Sequence, residues 1–530
     1  METTIQTDVL VIGGGGAGLC SALAAAEAGA AVTLVSKPGG NCTAIAAGGF
    51  AVVLEDSVED SVETFVEDAL RSGAGLADVS LLTRLARDAP AAIEKVEGWG
   101  VEFYRREDGT LRRFRSGGHT YPRSLRCAQG RGGDAWRIML QRAQRQGVHI
   151  IKNALITELL MENGRVVGAA GMDGAGKPLA ISAGAVILAT GGMAALYENT
   201  TNVPGLTGEG YMLAREAGCR LRDMEFIQCM PTTFAWPAHL RGRLVNDTLR
   251  GEGAYLLNSE QERFMSRYDA QFMECATRDV LSIAIASELA AGRGTPHGGV
   301  WLDARHIPEK AMLESFGFAP QLMAAGIHPS RDLIEVVPAT HFSCGGVAIG
   351  EDCRTGVEGL FAVGEVTGGI HGANRLGATA LTENVVFGSI AGRGAAREAK
   401  GRAHASRFPD CRAASALAGP VRPHSPELAC ALAQGEARVK EILWRYDGIL
   451  RSADGLSAGM DALELLAGEV SGYPAGDFAQ SLRTRRLEQL IGLGRLVVRA
   501  ALQRTESRGC HYRTDYPEQD GAQARSIFID

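Results

Sequence analysis

The chain opens on an apolar run, Val9-Leu10-Val11-Ile12, that enters Gly13-Gly14-Gly15-Gly16-Ala17-Gly18 and an alanine-rich stretch before Ala31 to Val35 turns apolar again. This pattern predicts strand, helix and strand over residues 1–36. An amphipathic helix is expected over 80–97, with Leu81, Leu82, Leu85 and Ala86 on one side. Strand-like alternation follows over 150–192. Ile151 to Leu160 and Gly164 to Met172 read as a small antiparallel layer, and Ala185 to Leu188 as a buried strand running into a second glycine turn, Ala189-Thr190-Gly191-Gly192. Beyond Pro231 a mixed, arginine-rich block extends to about Pro338, which predicts an inserted domain. The segment 396–426, rich in Ala, Arg and Pro, reads as a linker, and apolar periodicity in Leu428 to Leu450 and Leu482 to Leu502 predicts a helical C-terminal region.

The first turn carries chemistry as well as shape. In Gly-x-Gly-x-x-Gly between a strand and a helix, the first glycine permits the tight turn and the second lets backbone approach a pyrophosphate. The third allows close helix-strand packing, while the helix N-terminus supplies donors. A dinucleotide is therefore expected there. Strand two ends in Ser36, where a ribose-binding acid is common, so FAD is favoured over NAD. At 530 residues, 45% hydrophobic, with 68 glycines and a net charge of −7, the chain is large enough for more than one domain and has no basic footprint for nucleic acid. No secretory leader pattern and no membrane-length apolar run is evident, so a cytoplasmic location is expected. Eleven cysteines lie scattered without a Cys-x-x-Cys pair or a ferredoxin-like run, which points to reduced thiols and to no bound metal or iron-sulfur cluster. Electrons leaving a flavin would pass to a partner, a soluble acceptor or oxygen.

The order of further motifs resembles the flavoprotein family that includes the fumarate reductase and succinate dehydrogenase flavoprotein subunits and L-aspartate oxidase. The resemblance spans nearly the whole chain. It is carried by Ala47-Gly48-Gly49-Phe50, Thr207-Gly208-Glu209-Gly210, Glu225-Phe226-Ile227-Gln228, Arg250-Gly251-Glu252-Gly253, Thr277-Arg278-Asp279, Thr340-His341-Phe342-Ser343-Cys344-Gly345-Gly346, Gly364-Glu365-Val366, His371 to Gly377 and Glu506-Ser507-Arg508-Gly509. It implies an α/β fold: an FAD-binding, two-dinucleotide-binding (Rossmann-like) domain over 1–231 and 339–395, an inserted α+β capping domain over 232–338, and a C-terminal helical domain over 427–530. Cofactor contacts are expected at Gly13, Gly15, Gly16, Ala17 and Gly18, at Ser36, Lys37, Cys42, Thr43, Gly48 and Gly49, and at Ala189, Thr190 and Gly191. Gly364, Glu365, Arg375, Ala380 and Leu381 complete that set.

The family's reaction moves a hydride between flavin N5 and a carbon next to a carboxylate, or oxidises a carbon-nitrogen bond in aspartate oxidase. Either needs the reacting carbon held ~3 to 3.5 Å from N5. His341 and Arg375 match the family's carboxylate clamp, which suits a bidentate guanidinium beside an imidazole. Arg278 matches the family's proton-delivering arginine. It requires a carboxylate to restore its proton, and Asp247 is the candidate; the plain alternative is a helix-start ion pair with Asp279. The departures are sharper than the matches. The family's Gln-x-His-Pro-Thr becomes Gln228-Cys229-Met230-Pro231-Thr232, so Met230 replaces the imidazole that would hold a second carboxylate. The family's Thr-Glu pair becomes Asn246-Asp247. Arg241 and Arg243 are candidate replacements for the lost histidine. Cys42 stands where flavinylated members carry histidine, which leads to an expectation of non-covalent FAD. The resulting reading is an FAD-dependent oxidoreductase acting on a small carboxylate with a distal end unlike that of fumarate. The alternatives are an amino-acid oxidase of the L-aspartate type and a flavin electron-transfer subunit with an iron-sulfur or other redox partner.

Overall fold

The computed structural model describes residues 3–529 apart from 47, 57–58, 129–131, 246, 311, 313–318, 403–422 and 475. β1 (Thr3–Ile12) runs into the glycine turn and α1 (Gly16–Glu27), and the chain returns as β2 (Val32–Ser36), parallel to β1 with Val9 opposite Val32. β3 (His149–Lys152) adds in parallel outside β2. β4 (Leu155–Glu162) and β5 (Arg165–Met172) form an antiparallel hairpin, and β5 leads to β6 (Pro178–Leu188), which returns to lie parallel to β1. The stretch Ile151 to Leu160, expected as one strand, is thus two strands at opposite edges of one sheet. Asn153 between them adopts the left-handed conformation at φ 60°, which ends one strand before the next begins.

The inserted region is built on a second sheet. β7 (Ile227–Phe234), β8 (Tyr255–Leu257), β9 (Val300–Asp303) and β10 (Ile334–Ser343) lie in the order β7-β10-β9-β8 and carry α2 (Arg278–Ala290). Phe234, Leu249, Leu281, Ile285, Val300 and Val336 share its own apolar core. The residues read as domain boundaries, 231/232 and 338/339, fall inside β7 and β10, which pair antiparallel and cross between the two bodies together.

Strand alternation places the remaining elements. In β1 and β6, Val9, Val11, Ala185 and Ile187 face α1 and α3 (Thr379–Ala399). Leu10, Ile12, Val186 and Leu188 point the opposite way. There they meet α4 (Pro426–Tyr446), α5 (Ala453–Ser471) and α6 (Phe478–Gln503), through Leu443, Leu463, Leu493 and Val497 among others. The C-terminal helices therefore cover the second face of the nucleotide sheet rather than forming a detached core. The run read as helical to Leu450 stops at Tyr446, and Leu450–Arg451 instead pairs with Tyr512–Arg513. α3 continues to Ala399, four residues into the segment read as linker, and most of the rest of that segment lies outside the described residues. β11 (Leu360–Ala362) pairs in parallel with the end of β6, so the glycine turns after β1 and β6 open on the same crevice.

Candidate active site

The two glycine turns abut. A Cβ built on Gly13, at φ +123°, would sit 2.0 Å from the Ala189 carbonyl oxygen, so a side chain there would displace the second turn. Between them runs a cleft of about 1960 Å³ that continues beneath the inserted domain. Gly13, Gly15, Gly16 and Ala17 line it, as do Ser36, Lys37, Cys42, Thr43, Gly48, Gly49, Ala189, Thr190 and Gly191, with Glu365, Arg375, Ala380 and Leu381 further along. Gly18 and Gly364 stand behind this wall. A Cβ on Gly18 would strike the Gly13 carbonyl at 1.9 Å, and one on Gly364 would meet Ala17 Cβ at 2.8 Å, so these two serve close packing. The lining suits a dinucleotide: glycine backbone at a helix N-terminus, with the Thr190 hydroxyl buried and lacking a protein partner among the described residues.

At the inner end the residues expected to form the clamp converge from separate elements. Arg375 follows the His371 loop, His341 is near the end of β10, Gln228 lies on β7, and Arg278 begins α2. Gln228 Oε1 accepts from Arg375 Nη2 at 3.2 Å and from Arg278 Nη1 at 3.4 Å. Gln228 Nε2 donates to Asn374 Oδ1 at 2.6 Å and to the Arg375 carbonyl at 3.0 Å, which fixes which way its amide faces. Arg278 Nη2 reaches Asp247 Oδ2 at 2.9 Å, and Arg250 Nη2 holds Asp247 Oδ1 at 2.6 Å. Arg278 therefore pairs with Asp247 and not with its neighbour Asp279, whose carboxylate accepts from Asn374. Burial would raise the Asp247 carboxyl, but Arg278 and Arg250 outweigh it and bring it down to about 2.

Arg375 is buried, has no carboxylate within ion-pair reach among the described residues, and leaves its Nε unpaired. Burial, then the charge of Arg278, lowers its guanidinium to about 10. Its guanidinium carbon lies 4.5 Å from the centre of the Phe342 ring, a cation-π contact. His341 Nδ1 lies 2.7 Å from Thr201 Oγ1, and burial followed by the charges of Arg375 and Arg278 holds the imidazole well below its usual pKa, hence neutral. Thr201 and Asn202, which donates to the His341 carbonyl at 2.7 Å, carried no signal in the sequence. Gln228 was visible as part of a motif, but its bridging of two arginines was not.

Met230 lines the same cleft and is almost wholly buried. Asn246 lies outside the described residues. Arg241 and Arg243 border the cleft but are exposed, and Arg241 donates to the Ala235 carbonyl at 3.2 Å. Nearer the first turn, Lys37 Nζ reaches Glu209 Oε2 at 2.5 Å, and Arg486 of α6 holds Glu209 Oε1 at 2.7 Å, tying the C-terminal helices to the cleft wall. Burial pushes the Glu365 carboxyl up to about 7, and its Oε1 accepts from the Ser343 amide at 3.0 Å. The Cys42 thiol donates to Asn202 Oδ1 at 2.6 Å. No helix among the described residues is long and apolar enough to cross a membrane, and none of their His, Cys, Asp and Glu side chains cluster as a metal site.

Residues 8–381 match the FAD binding domain family, and residues 436–527 match the fumarate reductase flavoprotein C-terminal family. The chain is 37% identical over 551 residues to a subunit of the fumarate reductase (CoM/CoB) of Methanothermobacter marburgensis, covering 100% of this chain and 98% of that protein. It is 38% identical over 539 residues to the L-aspartate oxidase of Mycobacterium tuberculosis, covering 98% and 95%. Among solved structures, the FrdA chain of E. coli quinol fumarate reductase superposes with a TM-score of 0.86 at 30% identity, over 98% of this chain and 93% of that one. Sdh1 of Mycobacterium smegmatis superposes with a TM-score of 0.87 at 32% identity, over 99% and 94%. The chain thus carries an FAD-binding domain and belongs to the fumarate reductase and succinate dehydrogenase flavoprotein family of FAD-dependent oxidoreductases.

Proposed function

We propose that this enzyme interconverts an α,β-unsaturated and a saturated carboxylate, with one carboxylate held by Arg375 and His341 and an uncharged or larger distal end lying against Met230. The observation that carries the reading is Arg375: a buried guanidinium with an unpaired Nε and no carboxylate partner among the described residues calls for an anion from the substrate. Bound FAD supplies or accepts the hydride at N5. Arg375 and neutral His341 orient the carboxylate so that the adjacent double bond is polarised. Arg278, across Gln228 from Arg375, gives a proton to the other carbon, and Asp247, ionised and in contact with Arg278, carries the replacement proton. Met230 offers no donor to a second carboxylate, which argues against a fumarate-like distal end.

The test is anaerobic reoxidation of the photoreduced protein, followed by its visible spectrum, against fumarate, single-carboxylate acrylates and iminosuccinate-type acceptors. Rapid reoxidation by an acrylate and not by fumarate is the expected result; rapid reoxidation by fumarate would overturn the altered-substrate reading. FAD is bound without a covalent link, since no histidine stands at position 42. Electrons are exchanged with a separate redox protein, a reading supported by the relative that is itself one subunit of a fumarate reductase and by the lack of a cluster motif in this sequence. Isolation of the native protein with an iron-sulfur partner would support that exchange.

A further inference from the structure

The backbone on both flanks of Arg375 is gripped by one assembly that lies far from it in sequence. At its base Arg123 is wholly buried, with Nε donating to Asp60 Oδ2 at 2.7 Å and Nη1 to Asp68 Oδ2 at 2.6 Å. Asp68 belongs to the helix Val62–Ser72, whose last residue donates from Ser72 Oγ to the Asn374 carbonyl at 3.3 Å. On the other flank, the Gly377 amide donates to the Gly117 carbonyl at 3.3 Å, and the Gly377 carbonyl oxygen lies 2.7 Å from His119 Nε2. His119 Nδ1 lies 3.1 Å from Arg123 Nη1. A guanidinium only donates and a carbonyl only accepts, so Nδ1 is the acceptor and the ring proton sits on Nε2. Burial, joined by the Arg123 charge, lowers the pKa of this imidazole and keeps it neutral. Ala378, next in the chain, is held at φ 60°, a conformation alanine seldom adopts, so the turn after Arg375 needs an outside hold.

We propose that His119 is a positioning residue for the carboxylate clamp: its Nε2–H holds the Gly377 carbonyl and, through that backbone, sets where the Arg375 guanidinium stands in the cleft. The inference rests on Arg375 being the partner of the substrate carboxylate. Among the described residues no carboxylate pairs with Arg375, and its guanidinium leans on Gln228 and on the Phe342 ring, so its place depends on the backbone that carries it. A bidentate match to a carboxylate demands a fixed fork, and a displaced loop loses it. His119 lines the cleft, yet both of its ring nitrogens are engaged, so it has no hydrogen left for a substrate and acts through the loop. The two segments also interlock closely. A Cβ on Gly377 would lie 2.4 Å from Ser116 Oγ, and one on Gly118 would lie 2.7 Å from Leu376 Cδ1.

The test is titration of the oxidised, FAD-loaded, full-length protein with crotonate, a single-carboxylate acrylate, followed by the visible spectrum of the bound flavin. His119→Asn keeps an acceptor for Arg123 but is too short to reach Gly377, whereas His119→Gln places an amide donor at the depth of Nε2. The expected result is that His119→Asn raises the Kd for crotonate at least tenfold, that His119→Gln stays within about threefold of the wild type, and that both retain FAD. Should His119→Asn not fold, Gly377→Ala disturbs the same joint from the other side and is expected to raise the Kd at least tenfold. The inference is overturned if His119→Asn, or Gly377→Ala in its place, loses less than tenfold while Arg375→Lys abolishes binding, or if His119→Gln binds as weakly as His119→Asn. Absence of crotonate binding in the wild type, or an Arg375→Lys variant that binds as well as the wild type, would remove the clamp reading itself and the inference with it.

Discussion

Arg278 and Arg375 share one acceptor, the side-chain oxygen of Gln228, at 3.4 and 3.2 Å. One neutral amide thereby sets the spacing between the group proposed to anchor the substrate and the group proposed to protonate it. Gln228→Leu removes that acceptor while keeping the side-chain volume similar. Loss of even one hydrogen bond to a charged group, roughly 1.5–3 kcal/mol, predicts a fall in kcat/KM of at least about 10- to 100-fold with the bound-flavin spectrum retained. Steady-state kinetics decide it, and an unchanged kcat/KM would remove Gln228 from the account.

Asp247 is held between Arg278 at 2.9 Å and Arg250 at 2.6 Å and stays ionised down to about pH 2. Asp247→Asn keeps the shape and removes the charge and the proton-carrying group. The expected outcome is a loss in kcat of about 10² to 10⁴, with a smaller change in KM, since the carboxylate clamp is untouched. A loss seen in KM alone would mean that Asp247 acts in binding.

Met230→His returns an imidazole to the distal wall of the cleft. Reoxidation of the reduced flavin by fumarate is expected to rise at least tenfold over the wild type, while the rate with a single-carboxylate acrylate falls. If fumarate does not gain, the distal end of the substrate lies elsewhere in the cleft.

Glu209, between Lys37 and Arg486, gives a pH dependence of stability. Burial alone would raise its carboxyl, yet the two cations bring it from 4.5 to about 2. A carboxyl depressed in the folded state contributes stability that is complete above about pH 4.5 and is lost as the pH falls toward 2. Glu209→Gln is therefore expected to melt below the wild type at pH 7, with the gap in Tm narrowing from pH 5 to pH 3. A gap of constant size over that range would show that the ionised carboxyl is not the source.

Cys42 occupies the cleft wall, its thiol pushed up to about 12 by burial and engaged with Asn202. Acid precipitation is expected to release all of the FAD into the supernatant and leave a pellet without flavin fluorescence. A fluorescent protein band after denaturing electrophoresis would show a covalent bond.

Much of this was legible along the chain because it depends on local physics. The apolar run Val9 to Ile12, the glycine turn and the alanine-rich helix dictate a dinucleotide crevice, since backbone approach and tight turns follow from the absence of side chains at those positions. Leu81, Leu82, Leu85 and Ala86 are buried on one side of the helix Val79–Gly98, as helical spacing requires. The identities at His341, Arg375, Arg278, Asp247 and Met230 stated which charges the cleft would contain.

Tertiary structure decided how those charges are used. No spacing rule brings Gln228, Arg278 and Arg375 to one oxygen, because they come from a strand, a helix start and a loop separated by up to 147 residues. The placement of α4 to α6 on the second face of the nucleotide sheet was equally hidden: Leu10, Val186 and Leu188 announce that this face is apolar, and only folding shows what covers it. Asn153 broke a strand through a backbone angle that the apolar pattern does not encode. Local pattern sets which groups can be buried, and long-range packing sets which buried groups face one another.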